Sequence, residues 1–245
     1  MMATDAPQIG IIGMGQFGRF AATHLTPHLE VVAYDPIAPG ESIAQVRFGD
    51  LAEAAACEFV LVTVPVQALQ EALDEIGPYL RTGACVLDAC SVKIAPMQWL
   101  EEELPPDVDY LGTHPLFGPR SAGGELLGHR VVLCPGRGQR VECVAEFLRM
   151  LGLYVIVTDA ETHDRESARA QALAQYVGRA LGPIEASDTG IATYAADLLR
   201  EIEEIVAGDS WELFAAIQTL NPFAAEARAE LRANLADLEA RLESS

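Results

Sequence analysis

Short apolar runs and amphipathic stretches alternate along the first part of the chain. The runs at 9–12, 31–34, 59–64, 85–87, 110–111 and 131–133 have the apolar, β-branched character of buried strands. Between them, residues 17–25, 66–76, 97–104 and 141–151 place apolar side chains three and four apart, the spacing of a helix with one buried face. A last strand-like run spans 154–158. Strands that alternate with helices predict an α/β fold, a doubly wound, Rossmann-type parallel sheet covered on both faces. From His163 onward the pattern changes. Segments rich in Ala, Leu, Glu and Arg, among them a helix over 194–206, are broken only at Gly182-Pro183, Gly208 and Asn221-Pro222. The expected organisation is a sheet domain over 1–158 and a small all-helical domain over 159–245. A helical appendage of that size buries little core alone, so it is expected to pack on the first domain, on a second subunit, or on both.

Composition narrows the classes of partner. The 245 residues are 50% hydrophobic and 21% charged, as in ordinary globular proteins. Thirty-six acidic against sixteen basic residues give a net charge of −20, which repels nucleic acid and anionic lipid. No apolar run reaches the ~18 residues of a membrane span. The segment 1–8 carries Asp5 and no basic cluster, so no leader peptide and a cytoplasmic location are expected. Five cysteines, Cys57, Cys85, Cys90, Cys134 and Cys143, show no CxxC pair and read as buried free thiols. His24 and His28 are four apart, but Pro27 interrupts them and no third ligand is near, so no metal site is expected; His129 receives no role. Fifteen of the sixteen basic residues are Arg; the one Lys is Lys93. A compact ammonium and a planar guanidinium are not interchangeable, so this position either needs Lys or has kept it by chance.

Gly13-Met-Gly15-Gln16-Phe17-Gly18 follows the first strand and opens the first helix. In such a loop the first Gly makes the turn, the second lets main chain approach a pyrophosphate, and the third allows close helix-to-strand packing, while the helix N-terminus offers N–H groups to the phosphates. Asp35 ends the second strand, seventeen residues past Gly18, where a carboxylate accepts ribose hydroxyls and repels a 2′-phosphate. NAD is therefore favoured over NADP. Thr63 and Val64 end the run at 59–64, Pro65 follows it, and all three are expected on the nicotinamide side of the crevice, because ligands in these sheets bind at the carboxyl ends of strands. Two further segments end strands at that edge: Ser91-Val-Lys93, and Thr113-His114-Pro-Leu-Phe-Gly-Pro119. A histidine held at a strand end by a Pro- and Gly-rich loop has the placement of a general base, with Ser91 able to orient the imidazole or a substrate hydroxyl.

Together these residues resemble the prephenate and arogenate dehydrogenases of tyrosine biosynthesis, and among them the plant-like arogenate branch. The resemblance rests on Gly13 to Gly18, Asp88 to Lys93, Thr113 to Pro119, His163-Asp164, Gln171, Gly178-Arg179 and Gly208-Asp-Ser-Trp-Glu-Leu213. It implies NAD(P)-dependent oxidative decarboxylation of a cyclohexadienol. His114 would accept the ring hydroxyl proton, Ser91 would support it, and Lys93 would stabilise either the local loop or the anionic substrate. The helical domain would bind substrate and form a homodimer. His163 and Asp164 would stand near the substrate; read without the resemblance they are equally a capping Asp and a solvated imidazole at a helix start. Two departures stand out. The family carries a second histidine twelve residues past His163, where this chain has Gln175, and an arginine before the Gly208-Asp209 stretch, where it has Glu203 and Glu204. Acidic residues there favour the ammonium of an amino-acid tail over a keto acid, which tilts the reading to arogenate. Arg120 and Arg179 are the substitute partners for a substrate carboxylate. Two alternatives stay open. A reductase of another small hydroxy acid or imine is disfavoured because no Lys follows Lys93. A non-catalytic NAD-binding sensor is opposed by the retained Ser91, Lys93 and His114.

Overall fold

The computed structural model describes residues 7–37, 43–182 and 192–245. The chain divides into two compact units, Met1–Ala160 and Glu161–Ser245.

The first unit is an eight-stranded sheet in the order β3-β2-β1-β4-β5-β6-β7-β8. The strands are β1 (Gln8–Ile12), β2 (Glu30–Tyr34), β3 (Val46–Phe48), β4 (Phe59–Val62), β5 (Cys85–Asp88), β6 (Asp109–Pro115), β7 (Arg130–Pro135) and β8 (Tyr154–Val157). Among the described residues only β6 and β7 pair antiparallel. The reversal of order at β1 makes the sheet doubly wound, as the alternation predicts. Helix α1 (Gln16–Leu25) joins β1 to β2 on one face, where α5 (Val141–Met150) also packs; α2 (Leu51–Ala55), α3 (Leu69–Ile76) and α4 (Ile94–Glu103) are the crossovers from β3 to β6 on the other. Strands β1, β2 and β5 are almost wholly buried because both faces are covered, which is why they read as continuous apolar runs. Strand β3 and helix α2 are not expected from the pattern: three residues carry no readable period, and the short helix is set by a capping box between Asp50 and Glu53.

Helix α6 (Ala160–Ser167) starts at the last residue of the first unit, and the second unit continues with a π turn (Ala168–Ala172), α7 (Leu173–Leu181), α8 (Tyr194–Ala207), α9 (Trp211–Leu220) and α10 (Ala224–Glu243). No strand occurs after β8 among the described residues. Gly208 caps α8 and Asn221-Pro222 separates α9 from α10, as expected; Pro183 lies outside the described residues, as do residues 1–6. Gly178 lets α7 approach α8, since a Cβ there would stand 2.8 Å from the Val206 side chain. All five cysteines are free thiols; four are buried, and Cys143 is exposed, a correction to the expected burial. Among the described residues no helix is long and apolar enough to cross a membrane.

Candidate active site

Parallel register brings the strand ends together. Ile12 pairs with Tyr34 and Val62, and Val62 with Asp88, so the residues that follow each share one sheet edge. Gly13 turns the chain with φ of +96°, a conformation that favours glycine, and its N–H donates to the Tyr34 carbonyl at 2.8 Å. The Thr63 hydroxyl donates to the Gly13 carbonyl. A Cβ on Gly18 would overlap that same carbonyl oxygen, so α1 lies as close to the loop as glycine permits. In front of Gly15 the space is open, with nothing within 4 Å of where a Cβ would stand. Gly15 is also the N-cap of α1, without a side-chain cap and with no acidic residue in the first turn. First-turn N–H groups without a cap, facing open space, fit the pyrophosphate of a dinucleotide.

Asp35 lies where the sequence puts it, and it also has an architectural role. One carboxylate oxygen accepts from the Met14 N–H at 2.6 Å and the other from the Ile37 N–H at 2.8 Å, tying the glycine turn to the end of β2. A carboxylate offers about four acceptor sites, so these bonds do not exhaust it. Val64 packs beside Gly13, Pro65 opens the turn leading into α3, and Gln16 is exposed beside Gly15. The Phe17 ring packs 6.3 Å from that of Phe20 and lines an apolar cavity of about 250 Å³ with Phe117, Leu61 and Leu87, which leaves its main chain at the glycine loop for a cofactor.

At the other side of the crevice, β6 outlasts β5. Their ladder ends at Leu87 and Leu111, while β6 continues to Pro115. Thr113 and Pro115 line the cavity on the α1 and α5 face, so by strand alternation His114 projects to the face of Gly112, toward α4. His114 is 2% exposed and pairs with Val132 of β7. Ser91 is half-buried in the bend after β5. Lys93 is wholly buried, and its contacts are those of the loop-stabilising alternative: it donates to the Asp88 carboxylate and, at 2.7 Å, to the Thr113 carbonyl. Asp88 in turn accepts from the N–H groups of Thr113 and Cys90, both at 2.9 Å. Burial, with the Asp88 charge beside it, holds the Cys90 thiol well above its usual range. Asp88 is not among the site residues expected from the sequence, although a carboxylate ending a fully buried strand is itself a signal, because buried charges are paired.

In the second unit, His163 and Asp164 are 4% and 0% exposed, so neither is a solvated cap. His163 Nδ1 meets the Asp164 carboxylate at 2.8 Å, and Asn221 donates to the Asp164 carbonyl at 2.7 Å. The π turn takes up one extra residue, so twelve positions act as eleven helical steps and bring Gln175 to within roughly 20° of His163 around the helix. The side chain of Gln218 donates at 2.8 Å to the Ala172 carbonyl in that turn. Gln175 donates to Asp209 at 2.8 Å. Arg179 donates to the carbonyls of Asp209 and Ser210 and lies over the Phe214 ring, so part of its guanidinium ties α7 to the α8–α9 junction. Gln175 Oε1 and Arg179 Nε are buried without a hydrogen-bond partner. Arg120 is exposed in the loop after β6. Among the described residues no group of three or more His, Cys, Asp or Glu could hold a metal ion.

The doubly wound sheet, the uncapped glycine loop and the histidine-bearing strand end define a dinucleotide-binding protein of the Rossmann class. The chain belongs to the prephenate dehydrogenase family: residues 42–171, just over half of it, match the family described as "Prephenate dehydrogenase, nucleotide-binding domain". It is 29% identical over 176 residues to a "Probable arogenate/prephenate dehydrogenase" of Methanocaldococcus jannaschii, covering 67% of this chain and 39% of that protein. It is 27% identical over 246 residues to "Arogenate dehydrogenase 2, chloroplastic" of Arabidopsis thaliana, covering 91% and 66%. The chain thus spans between about a third and two thirds of the length of these curated relatives and of a second Arabidopsis arogenate dehydrogenase, of which it covers 36%. Its fold is that of a prephenate dehydrogenase from A. aeolicus solved with hydroxyphenyl propionate and NAD+, with a TM-score of 0.78 at 22% identity, covering 99% of this chain and 93% of that one. An arogenate dehydrogenase from Synechocystis gives 0.71 at 21%, covering 97% and 92%.

Proposed function

We propose that this protein oxidatively decarboxylates arogenate or prephenate, with arogenate and NAD preferred. The observation that carries the reading is the strand edge itself: an uncapped glycine loop, Asp35 and the buried imidazole of His114 terminate strands of one sheet in a chain of this family. Gly13, Gly15, Gly18 and the main chain at Gln16 and Phe17 would hold the pyrophosphate, Asp35 the adenosine ribose, and Thr63, Val64 and Pro65 the nicotinamide end. When bound, the dinucleotide supplies the hydride acceptor. His114 takes the proton from the ring hydroxyl as the hydride leaves the same carbon, and Ser91 orients that hydroxyl or the imidazole. Loss of the ring carboxylate as CO2 then leaves an aromatic phenol, so the protein has only to position the ring and receive one proton. His163, Gln175, Arg179 and Arg120 are assigned to the substrate side. The unpartnered acceptor on Gln175 and donor on Arg179, beside the Asp209 carboxylate, have the complementarity of a zwitterionic amino-acid tail.

The test is reduced-cofactor absorbance with each pairing of NAD or NADP and arogenate or prephenate. Turnover is expected with NAD and arogenate, and the absence of turnover in all four pairings defeats the reading. The His114→Asn variant is expected to bind NAD as wild type does and to lose about 10²–10⁴-fold in kcat, the contribution of a general base. Normal turnover of that variant would remove His114 from its role.

A further inference from the structure

The β5–β6 ladder stops at Leu87 and Leu111, two residues before Thr113, yet Thr113 keeps partners on its β5 side. They are side chains in place of main chain. The Asp88 carboxylate accepts the Thr113 N–H at 2.9 Å, and the Lys93 ammonium donates to the Thr113 carbonyl at 2.7 Å. The Thr113 hydroxyl closes the set by donating to the Asp88 carbonyl. Lys93 and Asp88 are both 0% exposed and ion-paired to each other, so neither charge is solvated.

We infer that Asp88 and Lys93 form a buried strut that replaces the missing ladder bonds, holds the two strands at a fixed separation, and thereby positions His114, the residue after Thr113. This inference rests on the proposed role of His114, and it makes Lys93 a positioning residue. Side chains that stand in for a ladder let β6 diverge from β5 without leaving buried N–H or carbonyl groups unpaired. The geometry also accounts for the single Lys among sixteen basic residues. A Cβ on Gly112 would stand 3.3 Å from Lys93 Cδ, so the Lys93 stem runs close against β6, and a compact ammonium is the group that meets the Asp88 carboxylate and the Thr113 carbonyl at its end. Replacing a buried ion pair by neutral residues of similar volume is often neutral for stability, so loss of the pair can be separated from loss of the fold.

The test uses the full-length protein and two variants. Removing Lys93 alone strands a buried carboxylate, so the main variant is the neutral double substitution Asp88→Asn with Lys93→Met, in which the amide oxygen introduced on β5 still accepts from the Thr113 N–H. It is expected to melt cooperatively, to bind NAD within about threefold of wild type and to keep its substrate KM within about threefold. Its kcat is expected to fall by about 10²-fold, the scale of a 1 Å misplacement of a catalytic group. Lys93→Arg, which keeps the charge but not the shape, is expected to lose kcat as well. A double variant whose kcat stays within threefold of wild type while its melting temperature falls would make the pair merely structural and overturn the inference. Should wild type turn over none of the four cofactor and substrate pairings, the proposed reaction fails on its own. The strut is then decided by NMR: the His114 imidazole signal should broaden or split in the double variant, and an unchanged single signal overturns it.

Discussion

His24 carries a pH signature that needs no catalysis to measure. It sits on α1 with its ring 4.5 Å from that of Phe20, and burial holds its pKa below the ordinary value of 6.5. The unfolded chain therefore binds a proton at this site more readily than the folded one. The stability it contributes is full above about pH 6.5 and is lost as pH falls through its lowered folded pKa. The slope of unfolding free energy against pH on the acid side of 6.5 is expected to flatten in His24→Gln, measured by urea titration, and an unchanged slope would remove His24 as its source. Residue by residue, legibility in the sequence followed chemistry. The glycines and Asp35 could be read because main-chain turns and strand ends impose residue types locally. Lys93 could be noticed only as an oddity of composition, because its partner Asp88 and the carbonyl of Thr113 are brought to it by folding.

At the scale of elements, the contact between α2 and β1 is unusually close. A Cβ placed on Gly10 would overlap the carbonyl oxygen of Ala54, a main-chain atom of α2 that no rotamer change can move aside. Gly10→Ala is therefore expected to destabilise the protein by about 2–3 kcal/mol, the upper part of the range for overpacking, as read by denaturant unfolding. A loss under about 0.5 kcal/mol would mean that α2 does not lie on β1 in this way. Most strands and the longer helices follow from period and length, but β3 and α2 do not, since three and five residues are too few to show a period. The π turn between α6 and α7 was hidden for another reason: its residues Ala168–Ala172 are ordinary helix formers, and Gln218, which binds one of its carbonyls, lies 46 residues away from it.

For the whole molecule, α10 presents Leu235, Leu238 and Leu242 at 57%, 51% and 64% exposure, with Leu231 half-buried one turn before them. The spacing of four, three and four is that of a coiled-coil seam, and we propose it as the interface of the homodimer that the family resemblance implies. Leu235→Glu combined with Leu238→Glu is expected to halve the mass seen by light scattering while leaving helical content unchanged; an unchanged mass rejects this seam as the interface. Spacing along the chain was enough to reveal alternating strands and helices, the glycine turn after the first strand and the histidine at a strand end, because period and backbone preference act between near neighbours. Folding alone decided that the lone lysine pairs with a buried carboxylate, that the Phe17 ring lines an apolar cavity, and that a π turn separates His163 from Gln175. Each of those outcomes depends on burial and pairing, which are properties of side chains made neighbours across the fold.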